Sequence, residues 1–229
     1  IKNNPRIIDD KLFWTKLSIY RSTTDSFIID FKDYLDWTHI LENHKLNEKF
    51  IRRFDYKMNW LILSNRYILS EKFIRDYKDK VVWELICEKQ VLSIDFIDEF
   101  NNYVIWSTIC SNQVLDEKIM RKYESKVDFS IISQYQKLSE EFIIDYKERV
   151  NWTDISRYQK LSMNFIIKYK KFLDMEAICS YQKLDEDFIR SNLNSVPWGF
   201  LTIYQDLSIN FIYEFKDKII FFYLFKIGR

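Results

Sequence analysis

The chain has 229 residues, and its 35 basic and 34 acidic side chains leave a formal net charge of +1 at pH 7. This balance removes any global electrostatic argument for nucleic acid or an acidic membrane as a partner. No apolar run approaches the ~18–20 residues that a membrane-spanning helix needs. The sequence therefore predicts no membrane span and argues against nucleic acid as a partner.

One phenylalanine position recurs every 23 residues without an insertion. The column consists of Phe27, Phe50, Phe73, Phe96, Ile119, Phe142, Phe165, Phe188 and Phe211. A fixed period between 20 and 50 residues is typical of solenoids and other repeat arrays. We predict one continuous domain over residues 1–229. Residues 1–22 would be a degenerate N-terminal capping unit, 23–206 the regular repeats and 207–229 an atypical apolar C-terminal unit.

Each repeat encodes two short helices, A of roughly ten residues and B of roughly eight. Helix A carries an apolar stripe at Phe142, Ile143, Tyr146 and Val150, and helix B begins at Trp152. Ser, Thr, Asn or Asp stands three residues before each phenylalanine, where it can cap helix A. Because such a pair cannot bury its own apolar face, the pattern predicts an all-α protein. We expect an α-solenoid of about nine to ten repeats stacked into a superhelical array.

A glutamine column begins with Gln90, after Arg21, His44 and Tyr67 at the earlier equivalent positions. Its members are Gln90, Gln113, Gln136, Gln159, Gln182 and Gln205. One interpretation is a structural polar ladder, in which the amides bond free turn carbonyls or the neighbouring glutamine. Glutamines beside tyrosines could instead read nucleotides, one per repeat. The uniformity of the column favours the ladder, because a code needs variation.

The C-terminal unit is apolar nearly all round. Phe221, Phe222 and Phe225 either wrap over the end of the stack or form a surface for end-to-end self-association.

Cysteine and tryptophan positions indicate packing. Cys87, Cys110 and Cys179 share a column with serines and a threonine, which predicts a small core residue and free thiols. All seven tryptophans share another column with phenylalanine and methionine, so we predict a core position there too. Reduced cysteines without a secretion signal favour an intracellular location.

Catalytic and metal motifs are missing from the sequence. His39 and His44 are the only histidines, and no nucleophile–base pattern, glycine-rich phosphate loop or metal-ligand spacing occurs. We predict a protein that is not an enzyme and uses no cofactor or metal.

Two columns vary between repeats and are candidates for partner binding. On helix A, Ile144 and Ile167 interrupt a column that otherwise contains Arg52, Arg75, Asp98, Arg121 and Arg190. We expect these two isoleucines to lie exposed and side by side. On helix B, the varying column includes Arg157.

A phrase around the glutamine, Tyr-Gln-Lys-Leu-Ser/Asp-x-x-Phe-Ile, occurs at 135–143, 158–166 and 181–189. It resembles the short tandem helical repeats in uncharacterised proteins of giant DNA viruses, mimivirus relatives among them. The resemblance implies a repeat scaffold of viral origin, located in the host cytoplasm or the virion, and transfers no site residues.

The pattern as a whole predicts a non-catalytic scaffold that binds an unknown protein partner. One alternative is a structural virion or assembly component joined through its apolar C-terminal end. Another is an RNA- or single-stranded-DNA-binding helical repeat.

Overall fold

The computed structural model describes residues 10–20 and 24–220, in which every regular element is helical. The A-helices are Asp25–Asp30, Glu48–Arg53, Glu71–Asp76, Ile94–Glu99, Glu117–Lys122, Glu140–Asp145, Met163–Tyr169, Glu186–Ser191 and Ile209–Glu214. The B-helices are Lys11–Ile19, Trp37–Asn43, Trp60–Arg66, Trp83–Lys89, Trp106–Asn112, Phe129–Tyr135, Trp152–Tyr158, Met175–Tyr181 and Trp198–Tyr204. A short 3₁₀ turn, Asp55–Lys57, follows one A-helix. The predicted all-α repeat of two short helices is confirmed.

Side-chain caps set where the helices begin. At every A-helix, the predicted capping residue accepts a hydrogen bond from the backbone N–H of the residue in the phenylalanine column, as Ser139 does from Phe142. Before a B-helix, Asn151 accepts from the N–H groups of both Thr153 and Asp154. Pro197 precedes a B-helix without a side-chain cap.

The A-helices are shorter than the predicted ten residues, and the expected length was wrong. In most repeats the α-helix ends after six residues, at an aromatic residue such as Tyr77 with φ −119° and ψ 27°. The Tyr77 carbonyl then accepts from the N–H groups of Lys80 and Val81, which closes a separate turn. This turn still delivers Val81 to the core, so the apolar spacing continues beyond the end of the helix.

Two aliphatic columns form the centre of the core. Ile143 on an A-helix and Ile155 on the next B-helix are both 0% exposed, and the equivalent residues are buried in the same way except at the two ends, where Leu17 and Ile212 are half-buried. Each fully buried side chain of this size contributes about 1.5–3 kcal/mol relative to an exposed one. The tryptophan column belongs only partly to the core. Trp14, Trp37 and Trp106 are buried, whereas Trp152 is half-buried and its indole N–H donates to the Lys147 carbonyl at 2.9 Å.

The chain divides into two compact units, Ile1–Ile109 and Cys110–Arg229. Within each unit, the B-helices of successive repeats pack against one another in chain order. The solenoid pattern of stacking between sequence neighbours is therefore shown within each unit. A single domain over residues 1–229 and the superhelical course of the array stay predictions. Phe221, Phe222 and Phe225, and half of the proposed N-terminal capping unit, lie outside the described residues.

Candidate partner-binding surfaces and the contacts between repeats

Four glutamine side chains of the second unit bond the main chain of the preceding repeat. The Gln159 side-chain amide donates to the carbonyls of Ser133 and Gln136, both at 2.8 Å. Its carbonyl oxygen accepts from the N–H of Leu138 at 2.9 Å. Gln136, Gln182 and Gln205 repeat this pattern. Because these glutamines are buried and their amides are used by the main chain, they are poorly placed to read a nucleotide.

Other residues make the same type of bond in the first unit. The Tyr67 hydroxyl donates to the Leu41 and His44 carbonyls at 3.0 and 2.7 Å. The His44 ring contacts the Ser18 carbonyl at 3.1 Å, and Gln90 donates to the Tyr67 carbonyl at 2.7 Å. The column therefore requires a polar side chain long enough to reach the previous repeat.

The small-residue column also links neighbouring repeats. The Ser156 hydroxyl donates to the Trp152 carbonyl and accepts from the backbone N–H of Asp174, the capping residue of the next B-helix. The Cys87 sulfur accepts from the N–H of Ile105 at 3.4 Å. All three cysteines are buried and form no disulfide, and burial raises the pKa of Cys87 to about 11 and of Cys179 to about 12.

Two serine substitutions in this column should have different effects, although both sites are 0% exposed. We expect Cys87→Ser to change the free energy of unfolding by less than about 0.5 kcal/mol, because the backbone N–H of Ile105 can donate to the new hydroxyl as it does to the sulfur. Cys179→Ser should cost about 1–2 kcal/mol, because Pro197 at the corresponding position has no N–H. Urea unfolding measures both values, and equal losses would contradict this assignment.

First-turn glutamates extend the capping of the A-helices across repeats. The Glu140 carboxylate accepts from the backbone N–H of Ser162 at 2.6 Å and contacts its hydroxyl at 3.1 Å. Glu186 accepts from the N–H of Ser208 at 2.7 Å, which lowers the pKa of Glu186 below its usual value. The sequence indicated only a favourable charge at the helix start. The contact with the following repeat was missed.

Arginines of the helix A column clamp the next repeat. Each guanidinium lies 5.0 Å from the centre of the phenylalanine ring in the next repeat. It also pairs with an acidic residue later in the same A-helix as that phenylalanine. The four pairs are Arg52–Asp76 at 2.7 Å, Arg75–Glu99 at 2.8 Å, Arg121–Asp145 at 2.7 Å and Arg190–Glu214 at 3.0 Å. These candidate binding residues are thus engaged within the chain. We define this arrangement as the arginine clamp.

The two isoleucines of this column lie in different environments. Ile167 is 53% exposed, whereas Ile144 is half-buried, so the expectation that both are exposed was wrong for Ile144. Ile144 lines a groove of about 360 Å³ between helices Glu140–Asp145 and Met163–Tyr169. Phe165 and Lys168 line the facing side.

A row of exposed tyrosines runs along the ends of the B-helices in the second unit. Tyr135, Tyr158, Tyr181 and Tyr204 are 57%, 47%, 61% and 55% exposed, and each precedes a buried glutamine. Arg157, the helix B candidate, lies 5.6 Å from the centre of the Tyr181 ring. We call these four residues the tyrosine row. Sequence reasoning noted the tyrosines only as neighbours of the glutamines, although their regular spacing was a sufficient signal.

The first unit exposes aliphatic side chains in the turn after helix B. Ile68 and Val91 occupy equivalent positions and are 95% and 96% exposed. In the second unit, Val114 belongs to the same column and is 89% exposed. Sequence analysis missed these three residues, because the column contains lysines in later repeats.

Within residues 10–20 and 24–220, no group of histidine, cysteine or acidic side chains is placed to hold a metal ion. Over those same ranges, no helix has the length and apolar character that crossing a bilayer requires. No protein-family model, curated protein or solved structure matches the chain. The resemblance to giant-virus repeats and the viral origin therefore stay predictions.

Proposed function

We propose that the protein is a non-catalytic helical-repeat scaffold that binds another protein through the tyrosine row. The supporting observation is the repetition of a half-exposed tyrosine on four successive B-helices. Tyrosine is enriched at protein interfaces, because it offers a large apolar ring, a hydroxyl and few rotatable bonds.

The contacts around the row support this interpretation. The aliphatic columns fill the core, and the buried glutamines form hydrogen bonds between neighbouring repeats. The tyrosine rings are thus not needed to fill the interior. Arg157, another residue type favoured in binding hot spots, lies against the row.

The experiment compares three forms of the protein as bait in lysate from cells that contain it. The forms are the wild type, Tyr158→Ala/Tyr181→Ala, and the control Tyr56→Ala/Tyr213→Ala. The control removes two tyrosines that are 63% and 75% exposed but lie outside the row. We expect a discrete protein to be retained by the wild type and the control, with or without nuclease.

The row variant should bind that protein at least about 10-fold more weakly, since a central tyrosine at an interface contributes about 1.4 kcal/mol or more. Circular dichroism and the unfolding midpoint check that the variant is folded. Equal retention by all three forms would overturn the assignment to the tyrosine row.

Single-stranded nucleic acid is a second candidate ligand for the same row. Lys137, Lys160 and Lys183 each follow a row tyrosine by two residues, and all three are exposed. Bases stack on aromatic rings while lysines contact phosphates. A labelled oligonucleotide should then bind with an affinity that falls steeply as salt rises from about 50 to 200 mM. Affinity that is independent of salt would exclude this mode.

A further inference from the structure

The groove beside Ile144 lies at one of the positions where the arginine clamp is missing. In the four clamped repeats, an arginine of one A-helix covers the phenylalanine ring of the next. Ile144 replaces that arginine, while Phe165 keeps the ring position. Lys168 occupies the place of the acid with which the clamp arginine pairs. Both charged residues of the clamp are therefore replaced, whereas the phenylalanine ring is kept.

We propose that this groove binds an arginine side chain of a partner protein. The clamped repeats themselves show how a guanidinium sits in such a position. There the cation lies over the ring, and in two of these repeats it also reaches the first-turn glutamate of its own helix, at 3.7 Å for Arg75 and Glu71 and at 3.3 Å for Arg190 and Glu186. Glu140 is the equivalent glutamate beside the open groove. An incoming guanidinium would thus meet the same ring and the same carboxylate.

Charge complementarity favours a cation. Three carboxylates, from Glu140, Glu141 and Asp145, line the groove, together with the single ammonium group of Lys168. Asp145 already pairs with Arg121, and Glu140 already accepts from Ser162. The second oxygen of Glu140, which contacts the Ser162 hydroxyl, corresponds to the Glu186 oxygen that receives Arg190.

Arginine fits this groove better than lysine. A planar guanidinium stacks on an aromatic face and donates to a carboxylate at its edge at the same time. The ammonium of lysine is compact and strongly hydrated, so it gains less from the ring. The structure therefore assigns the groove to an arginine-bearing segment of a partner. This deepens the proposed function, on which it rests, by naming the chemistry of the partner at a second surface.

The test uses N-acetyl-arginine methylamide as the ligand, with the lysine analogue for comparison. Ligand-observed saturation-transfer NMR on the full chain measures both affinities, and isoleucine methyl shifts in the wild type locate the site. We expect saturable, millimolar binding of the arginine ligand that shifts the Ile144 methyl signal. The lysine ligand should bind several-fold more weakly. Equal binding of the two ligands, or no saturable binding, would overturn the proposal.

Two variants move the affinity in opposite directions. Ile144→Arg/Lys168→Glu rebuilds the clamp of the other repeats, so it should fold and should lose arginine binding. Lys168→Glu alone leaves the groove open and adds the missing carboxylate, so binding should tighten by about two- to fivefold. Unchanged affinity in a folded clamp variant, or weaker binding by Lys168→Glu, would overturn the proposal even if the other variant failed to fold.

A matched change in a clamped repeat provides the converse test. Arg190→Ile/Glu214→Lys should open a second groove over Phe211 and raise the stoichiometry of arginine binding from one to two. No second site would contradict the role given to the missing clamp.

The outcome is separate from that of the tyrosine-row experiment. A partner that depends on Tyr158 and Tyr181 without arginine binding at the groove would overturn this inference alone. Arginine binding at the groove without capture of a protein would support this inference and overturn the proposal that the tyrosine row binds a protein.

Discussion

Replacing Gln159 by alanine is expected to lower the free energy of unfolding by about 3–5 kcal/mol. The substitution removes three hydrogen bonds of 2.8–2.9 Å to Ser133, Gln136 and Leu138. Gln159 is 4% exposed, so water cannot readily replace the lost partners. Urea unfolding followed by circular dichroism measures the loss.

Two further variants separate hydrogen bonding from packing at this site. Gln159→Met keeps the length of the side chain and should still cost most of that energy. Arg157→Ala, at an exposed neighbour, should change stability by less than about 0.5 kcal/mol. If Gln159→Met were as stable as the wild type, packing rather than hydrogen bonding would explain the column.

Replacing Phe142 by alanine should destabilise the protein by about 3–5 kcal/mol, because it leaves a cavity in a packed core. Phe142 is 0% exposed, and Arg121 lies 5.0 Å from the centre of its ring. The substitution thus removes both buried apolar surface and the aromatic part of one clamp. Thermal and urea unfolding both report the change.

Phe142→Ile is the matched control. Ile119 occupies the same column one repeat earlier and is buried there. We therefore expect the isoleucine variant to lose no more than about 1.5 kcal/mol. A loss as large as that of the alanine variant would show that the ring itself, through Arg121 and its other aromatic neighbours, dominates the site.

The helical repeat was predictable because its determinants are local. A capping side chain and the residue it caps, such as Ser139 and Phe142, are three positions apart. The aliphatic spacing of each helix is also contained within one repeat. The end of helix A was not predictable in this way, because Val81 continues the helical spacing although it follows a separate turn.

The candidate surfaces were only partly predictable. The interruption of the arginine column by Ile144 and Ile167 is visible in the sequence. It indicated a candidate binding surface but did not predict a groove beside Ile144. The sequence did not show that the other arginines already pair with acids 24 residues later. The uniformity of the glutamine column already favoured the structural ladder, and the structure identifies the bonded groups as main-chain atoms of the preceding repeat.

The amino-acid sequence by itself determined the period, the helix type, the caps and the buried columns, since each depends on residues within one repeat. The tertiary structure decided which polar side chains are used internally and which remain exposed. Those contacts join Gln159 to residues 21–26 positions away. Such groups meet only when neighbouring repeats pack, so the tertiary structure was needed to show that the arginines are clamped and that a groove lies beside Ile144.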